Sequence, residues 1–142
     1  MTIKEQQDEI IADFEFFGDW MEKYEFIIQL GKELPLIDPQ YKTDDNLIKG
    51  CQSKVWLHAG IVDGKMEFTA DSDAVITKGL VSMVIRVLSG QTPKDIVDAE
   101  IYFIEAIGLQ NHLSPTRSNG LLSMLKQIKL YALAYQAKVS SQ

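Results

Sequence analysis

The chain has 142 residues, 46% of them apolar and 24% charged, with 20 acidic and 14 basic side chains and a net charge of −6. That size and composition describe one globular domain, residues 1–142, able to bury roughly two thirds of its unfolded surface. The acidic balance disfavours nucleic acid as main partner, no apolar run approaches the roughly 18 residues of a membrane span, and the mixed polar start does not read as a signal peptide.

Thr2 and Glu5 fit a capping box, opening a helix that runs to about Phe17 before Gly18. Asp19 with Glu22 can cap a second helix over about residues 20–30, with Gly31 as its stop. Residues 33–49 carry Pro35, Pro39 and several Asp and Asn side chains, and read as an irregular connection with one short helical turn after Asp38.

The clearest strand signal follows. Val55, Leu57, Ala59 and Ile61 alternate with Lys54, Trp56, His58 and Gly60, and Asp63-Gly64 supplies a two-residue hairpin turn. Met66, Phe68 and Ala70 alternate on the return strand. Pairing around the turn sets Ile61 opposite Met66, Ala59 opposite Phe68 and Leu57 opposite Ala70, so the apolar sets share one face. The other face holds Trp56 near Asp71 and His58 near Thr69.

Ser72 can cap a third helix over about residues 73–89, with an apolar stripe through Val75, Ile76, Leu80, Met83, Val84, Val87 and Leu88. Thr92-Pro93 opens a short helix, residues 100–107 are helical up to Gly108, and Ser114-Pro115 opens the last long helix. Leu121, Leu125, Ile128, Ala132 and Tyr135 form its apolar stripe. The class is α+β: a small antiparallel sheet packed against several helices.

A single cysteine, Cys51, cannot form an internal disulfide, and with two histidines it cannot supply four ligands to a structural zinc site. A reduced thiol in the cytoplasm, with no metal and no bound cofactor, is the expectation. Cys51 lies just before the first strand. If Val55 opposes Ser72, the cysteine is close to residues 71–76 and the start of the third helix. A helix N-terminus favours a thiolate, whereas Asp71 and Asp73 oppose it, each by about 1 kcal/mol or less when exposed. The thiol is therefore not strongly activated, and only a few per cent is thiolate at neutral pH.

A lone cysteine is most often a small buried hydrophobe; its place between Gly50 and polar Gln52-Ser53 brings a functional reading level with that one. Arg117 falls in the first turn of the last helix, where a cation is unfavourable to the dipole, so it either serves a site or pairs with a carboxylate. His112 could act as a base or stand as a solvated loop side chain. His58, on the outer sheet face, reads as structural or solvent-facing. Asp44-Asp45 and Asp71/Asp73 lack a calcium-loop pattern, and no phosphate-cradling glycine motif or nucleophile elbow occurs.

The segment Gly50-Cys51-Gln52-Ser53-Lys54-Val55-Trp56 resembles the cysteine loop of the SufE family of sulfur acceptor proteins, which includes CsdE. Three further blocks resemble that family in order and spacing: Trp20-Met21-Glu22-Lys23-Tyr24 with Leu30-Gly31; Asp71-Ser72-Asp73-Ala74 with Lys78-Gly79-Leu80; and residues 112–121, from His112 through Arg117 to Leu121. The resemblance covers roughly residues 10–135.

It implies a SufE/IscU-like fold. It also implies a protein that takes persulfide sulfur from a SufS-type cysteine desulfurase onto Cys51, stimulates that enzyme and delivers the sulfur to a SufBCD-type scaffold for iron–sulfur cluster assembly. Arg117, Asp73, Gln52 and His112 fall in matching blocks as supporting or partner-facing residues. Such a protein is a sulfur-transfer accessory rather than an independent enzyme. IscU-type scaffolds hold a cluster with several cysteines; one cysteine argues for transfer. An independent thiol enzyme, of cysteine hydrolase or peroxidatic type, and a non-catalytic interaction domain are the rival readings. The physiological donor and acceptor, and the oligomeric state (a homodimer included), stay open.

Overall fold

The structure is a computed structural model that describes the backbone of residues 1–49, 53–112 and 115–140, and their side chains except at 110, 115–119, 139 and 140. The first two helices, α1 (Ile3–Glu15) and α2 (Trp20–Gly31), start where their caps dictate. Thr2 and Glu5 form the reciprocal capping box, and Asp19 accepts the Glu22 N–H at 2.9 Å. Gly31 ends α2 for a different reason from the one expected. It is buried and faces Gly79 of the next long helix, so the two backbones touch where a side chain would separate them.

The hairpin has the expected register. Strands β1 (Val55–Val62) and β2 (Lys65–Ser72) pair antiparallel with Val55 opposite Ser72, Leu57 opposite Ala70 and Ile61 opposite Met66. Asp63 and Gly64 both have positive φ, 52° and 77°, as a tight hairpin turn whose twist matches its strands requires. Leu57, Met66, Phe68 and Ala70 are buried on the inner face. Against them packs α3 (Val75–Leu88), whose stripe of Leu80, Met83, Val84, Val87 and Leu88 is buried. The small helices α4 (Pro93–Asp98) and α5 (Phe103–Ala106) lead to α6 (Pro115–Ser140), which turns Leu121, Leu125, Ile128 and Ala132 into the core.

Three expectations change. First, the third helix begins later. Ser72 is the last residue of β2 and its Oγ accepts the Ala74 N–H at 3.3 Å, a local turn rather than a helix cap. Asp73 extends the strand ladder, donating its N–H to the Lys54 carbonyl. Second, helix is confined to Phe103–Ala106 within residues 100–107. The buried Gln7 side chain claims the backbone before and at its start: it donates to the Glu100 carbonyl and accepts the Tyr102 and Phe103 N–H groups at 2.8 and 3.2 Å.

Third, residues 33–49, irregular and with the turn expected after Asp38, also form a strap around the sheet. Ile37 N–H and Pro35 carbonyl both bond to Ala70 on the outer edge of β2. The Asp38-capped turn Pro39–Tyr41 then crosses the outer face, stacking Tyr41 on His58 at 3.8 Å between ring centroids. Lys42 lies 4.6 Å from the centre of the Trp56 ring. A second turn, Asp44–Asn46, brings the chain to the edge of β1. Edges that would otherwise offer unpaired backbone are thus occupied at both ends of the strap.

Candidate functional site

Ile48 donates its N–H to the Val55 carbonyl at 2.9 Å, next to a bridge between Leu47 and Trp56. Residues 49–54 therefore run between two ends that are hydrogen-bonded to each other. Gly50, Cys51 and Gln52 are among them and lie outside the described residues. A second tie holds its far end. The Lys54 N–H donates to Asp73 Oδ1 at 3.0 Å, and the Asp73 N–H returns to the Lys54 carbonyl at 3.3 Å. Asp73 thus fixes the root of the cysteine loop to the end of β2. α3 starts two residues further on, at Val75, and Val75 is 61% exposed beside this root.

Asp71 anchors the strap to the same corner. It accepts from Lys42 at 3.0 Å, lies 3.5 Å from the Lys78 ammonium, and receives the Ser72 N–H at 2.8 Å. Burial alone would raise its pKa. The Lys42 and Ser72 hydrogen bonds and the two lysine charges outweigh that and hold the carboxyl below its ordinary value.

His112 is exposed but not free of partners. Its ring stacks on Trp20 at 3.7 Å between centroids, and its carbonyl accepts the Tyr24 hydroxyl at 2.7 Å. Trp20 and Tyr24 sit one turn apart on α2, so that helix holds the chain just before α6. Gly108, in the left-handed region at φ 79°, ends the preceding turn against the same indole. Two of the blocks singled out in the sequence are thereby in contact. Arg117 falls in the first turn of α6, as expected; its side chain lies outside the described residues. Among the described residues no cluster of three His, Asp or Glu side chains is placed to hold a metal, and no helix is long and apolar enough to cross a membrane.

Sequence reading missed the charge around the loop. Lys49 and Lys54 flank it, both exposed and without an ion pair. Lys49 also lines a groove of about 370 Å³ together with Leu47, Ile48, Lys126, Leu130 and Tyr131. The spacing of lysines about the cysteine is visible in the sequence; their lack of partners is not.

Comparison with known proteins agrees with this arrangement. The solution structure of a hypothetical protein from Thermus thermophilus superposes with a TM-score of 0.77 over 93% of this chain and 96% of that one; at 16% identity this shows a shared fold. An uncharacterized SufE-like protein of Rhizobium meliloti is 42% identical over 128 residues, covering 86% of this chain and 91% of its own length. A second from Rhizobium etli is 42% identical over 127 residues, 86% of each chain. One from Synechocystis is 37% identical over 135 residues, 95% of this chain and 85% of its own. The family model described as SufE, Fe-S metabolism associated domain, matches residues 8–132, from the middle of α1 to the core-facing part of α6, and so takes in the loop and every element that anchors it. With that match and those relatives, the chain belongs to the SufE family of Fe–S metabolism proteins.

Proposed function

We propose that the protein is a sulfur acceptor and carrier. It receives a sulfane sulfur on Cys51 from a SufS-type cysteine desulfurase and passes it to a SufBCD-type scaffold. The observation that supports this reading is the family match spanning a chain whose single cysteine falls in the sequence between the Ile48–Val55 and Lys54–Asp73 pairings.

The reaction is a thiol exchange. The Cys51 thiol loses its proton to solvent, and the thiolate attacks the terminal sulfur of the donor's cysteine persulfide. A new S–S bond forms at Cys51 while the donor's S–S bond breaks, and the donor cysteine leaves as thiolate. No external oxidant is consumed. Lys49 and Lys54 bring positive charge to both ends of the loop, which favours the thiolate over the thiol. Asp73 acts on position: by holding Lys54 it limits where the loop can go. His112, locked between Trp20 and Tyr24, serves by fixing the entry to α6, the helix that carries Arg117.

Mass spectrometry tests the reading directly. Incubation with a SufS-type desulfurase and free cysteine should add one sulfur, about 32 Da, to Cys51, and reductant should remove it. The C51S variant should gain nothing and should not stimulate the desulfurase. Undiminished stimulation by C51S would refute the carrier role.

A further inference from the structure

The groove beside the cysteine loop and the exposed face of α6 together have the chemistry of a helix-binding surface. α6 is apolar on two sides. Leu121, Met124, Leu125, Ile128 and Ala132 face the core. On another side Leu122, Leu130 and Leu133 are 60%, 49% and 48% exposed, with Lys126 among them. Residues 122, 126, 130 and 133 follow 4-4-3 spacing, so at 100° per residue they share one face of the helix. A single exposed leucine needs no explanation; three on one face, bordering a groove, call for a partner.

The charge on this surface selects the partner. Among the described basic side chains, Lys4, Lys42, Lys78, Arg86 and Lys94 are ion-paired, and Lys129 bonds to the Ala99 carbonyl. Lys49 and Lys126 have no such partner, as is also true of Lys32, Lys54 and Lys65, but these two line the groove; Asp45 lines it too, leaving an excess of one positive charge there in a chain of net charge −6. The groove of about 370 Å³ is walled by Leu47, Ile48, Leu130 and Tyr131, room for the anchoring side chain of an amphipathic helix.

We infer that the groove between residues 45–49 and α6, with the Leu122–Lys126–Leu130–Leu133 face, docks an acidic, apolar-anchored helix of the protein that donates sulfur to Cys51. This rests on the carrier reading above. The donor is the occupant because accepting sulfur requires a protein donor at the loop, and Lys49 stands two residues from the cysteine. Docking there would guide that donor to the loop by charge and fix it by leucine burial.

The test uses the full chain and a purified, pyridoxal-phosphate-loaded SufS-type desulfurase. Affinity is measured by calorimetry for wild type, K49E/K126E, and K32E/K65E, which changes net charge equally at exposed sites outside the groove. L130S probes the apolar face. K49E/K126E should weaken binding about tenfold or more, as introduced like charge does at an interface, and L130S should weaken it as well. K32E/K65E should bind within about twofold of wild type, as rim charges outside a contact do. Loading of Cys51 by inorganic polysulfide should be unchanged in L130S and K32E/K65E, which leave the charge flanking the cysteine as it is.

Equal weakening by both double variants would reduce the effect to net charge and overturn the inference, as would unchanged affinity in K49E/K126E. Loss of polysulfide loading in L130S would overturn it by showing a damaged loop. A shift in self-association on sedimentation, with desulfurase affinity intact, would assign the groove to a second copy instead. If wild-type Cys51 gains no sulfur from the desulfurase at all, the carrier reading itself fails, and is told apart from a failure of the groove alone.

Discussion

Asp71 shows how one carboxylate can fasten two non-adjacent segments. Its pKa is held below the ordinary value of 3.8, against the opposing effect of its own burial, by Lys42, Ser72 and Lys78. A carboxylate with a lowered folded pKa contributes stability that is fully present above its unfolded pKa and lost as pH falls through the folded one. The D71N variant should therefore be less stable than wild type by about 1 kcal/mol at neutral pH. The difference should shrink as pH drops below about 4 toward the lowered folded value. Urea unfolding at a series of pH values reads this out; a gap that persists below the folded value would mean that charge is not the cause. Asp73, two residues on, has a different task. Its role could not be read from the sequence, where it stands at the start of an expected helix. Ser72 has the chemistry of an N-cap, and only the pairing of Asp73 with Lys54 shows that the strand continues past it.

Elements whose order is local were legible, and elements ordered by distant partners were not. The hairpin register followed from period-two alternation and the Asp63-Gly64 turn, because both act between residues adjacent across one short loop. The helix caps at Thr2 and Asp19 and the stripes of α3 and α6 were legible for the same reason. The strap over residues 33–49 was not: it has no period, and its hydrogen bonds go to Ala70 and Val55. The outer α6 face was hidden too, since Leu122, Leu130 and Leu133 look like core until Leu121, Leu125 and Ile128 are seen to occupy that place.

The contact of α2 with α3 was half legible. Gly31 and Gly79 were noted in the sequence, but not that they meet. A Cβ at Gly79 would collide with the Ile27 backbone of α2, and one at Gly31 would lie 3.0 Å from the Gly79 nitrogen. G79A should force the helices apart and cost about 3 kcal/mol, at or above the usual range for overpacking. G18A, with open space around the added carbon, should cost less than about 1 kcal/mol. Thermal denaturation distinguishes them, and equal losses would show that backbone freedom rather than close approach sets the requirement.

Across the whole molecule, Gln7 is a buried polar link between distant segments. It is 1% exposed and joins the first helix to residues 100–103, tying its amide to three backbone groups. Arg86 makes a parallel link from α3 to Glu9 and Asp13 at the surface. Replacing Gln7 by Ala strands a carbonyl and two N–H groups in a buried place, and should cost about 2–4 kcal/mol. R86A, at a partly exposed ion pair, should cost about 1 kcal/mol or less. Comparable melting temperatures for the two variants would argue that water refills the Gln7 site. Neither side chain bonds to Ile48, Lys54, Val55 or Asp73, so on the carrier role proposed above sulfur loading of the surviving folded protein should be unaltered.

The pairing of Ile48 with Val55 also sets a length. Six residues, 49–54, hang between two joined ends, and a chain spans at most about 3.6 Å per residue. Half the loop must go out and half return, so its apex can extend no more than roughly 10 Å from the strand ends. Cys51, the third of these six residues, can stand no further out than that limit. On the carrier role proposed above, a donor must bring its own sulfur to within that distance of the β1–β2 corner. The depth of a donor's cleft then limits which donors can reach the thiol.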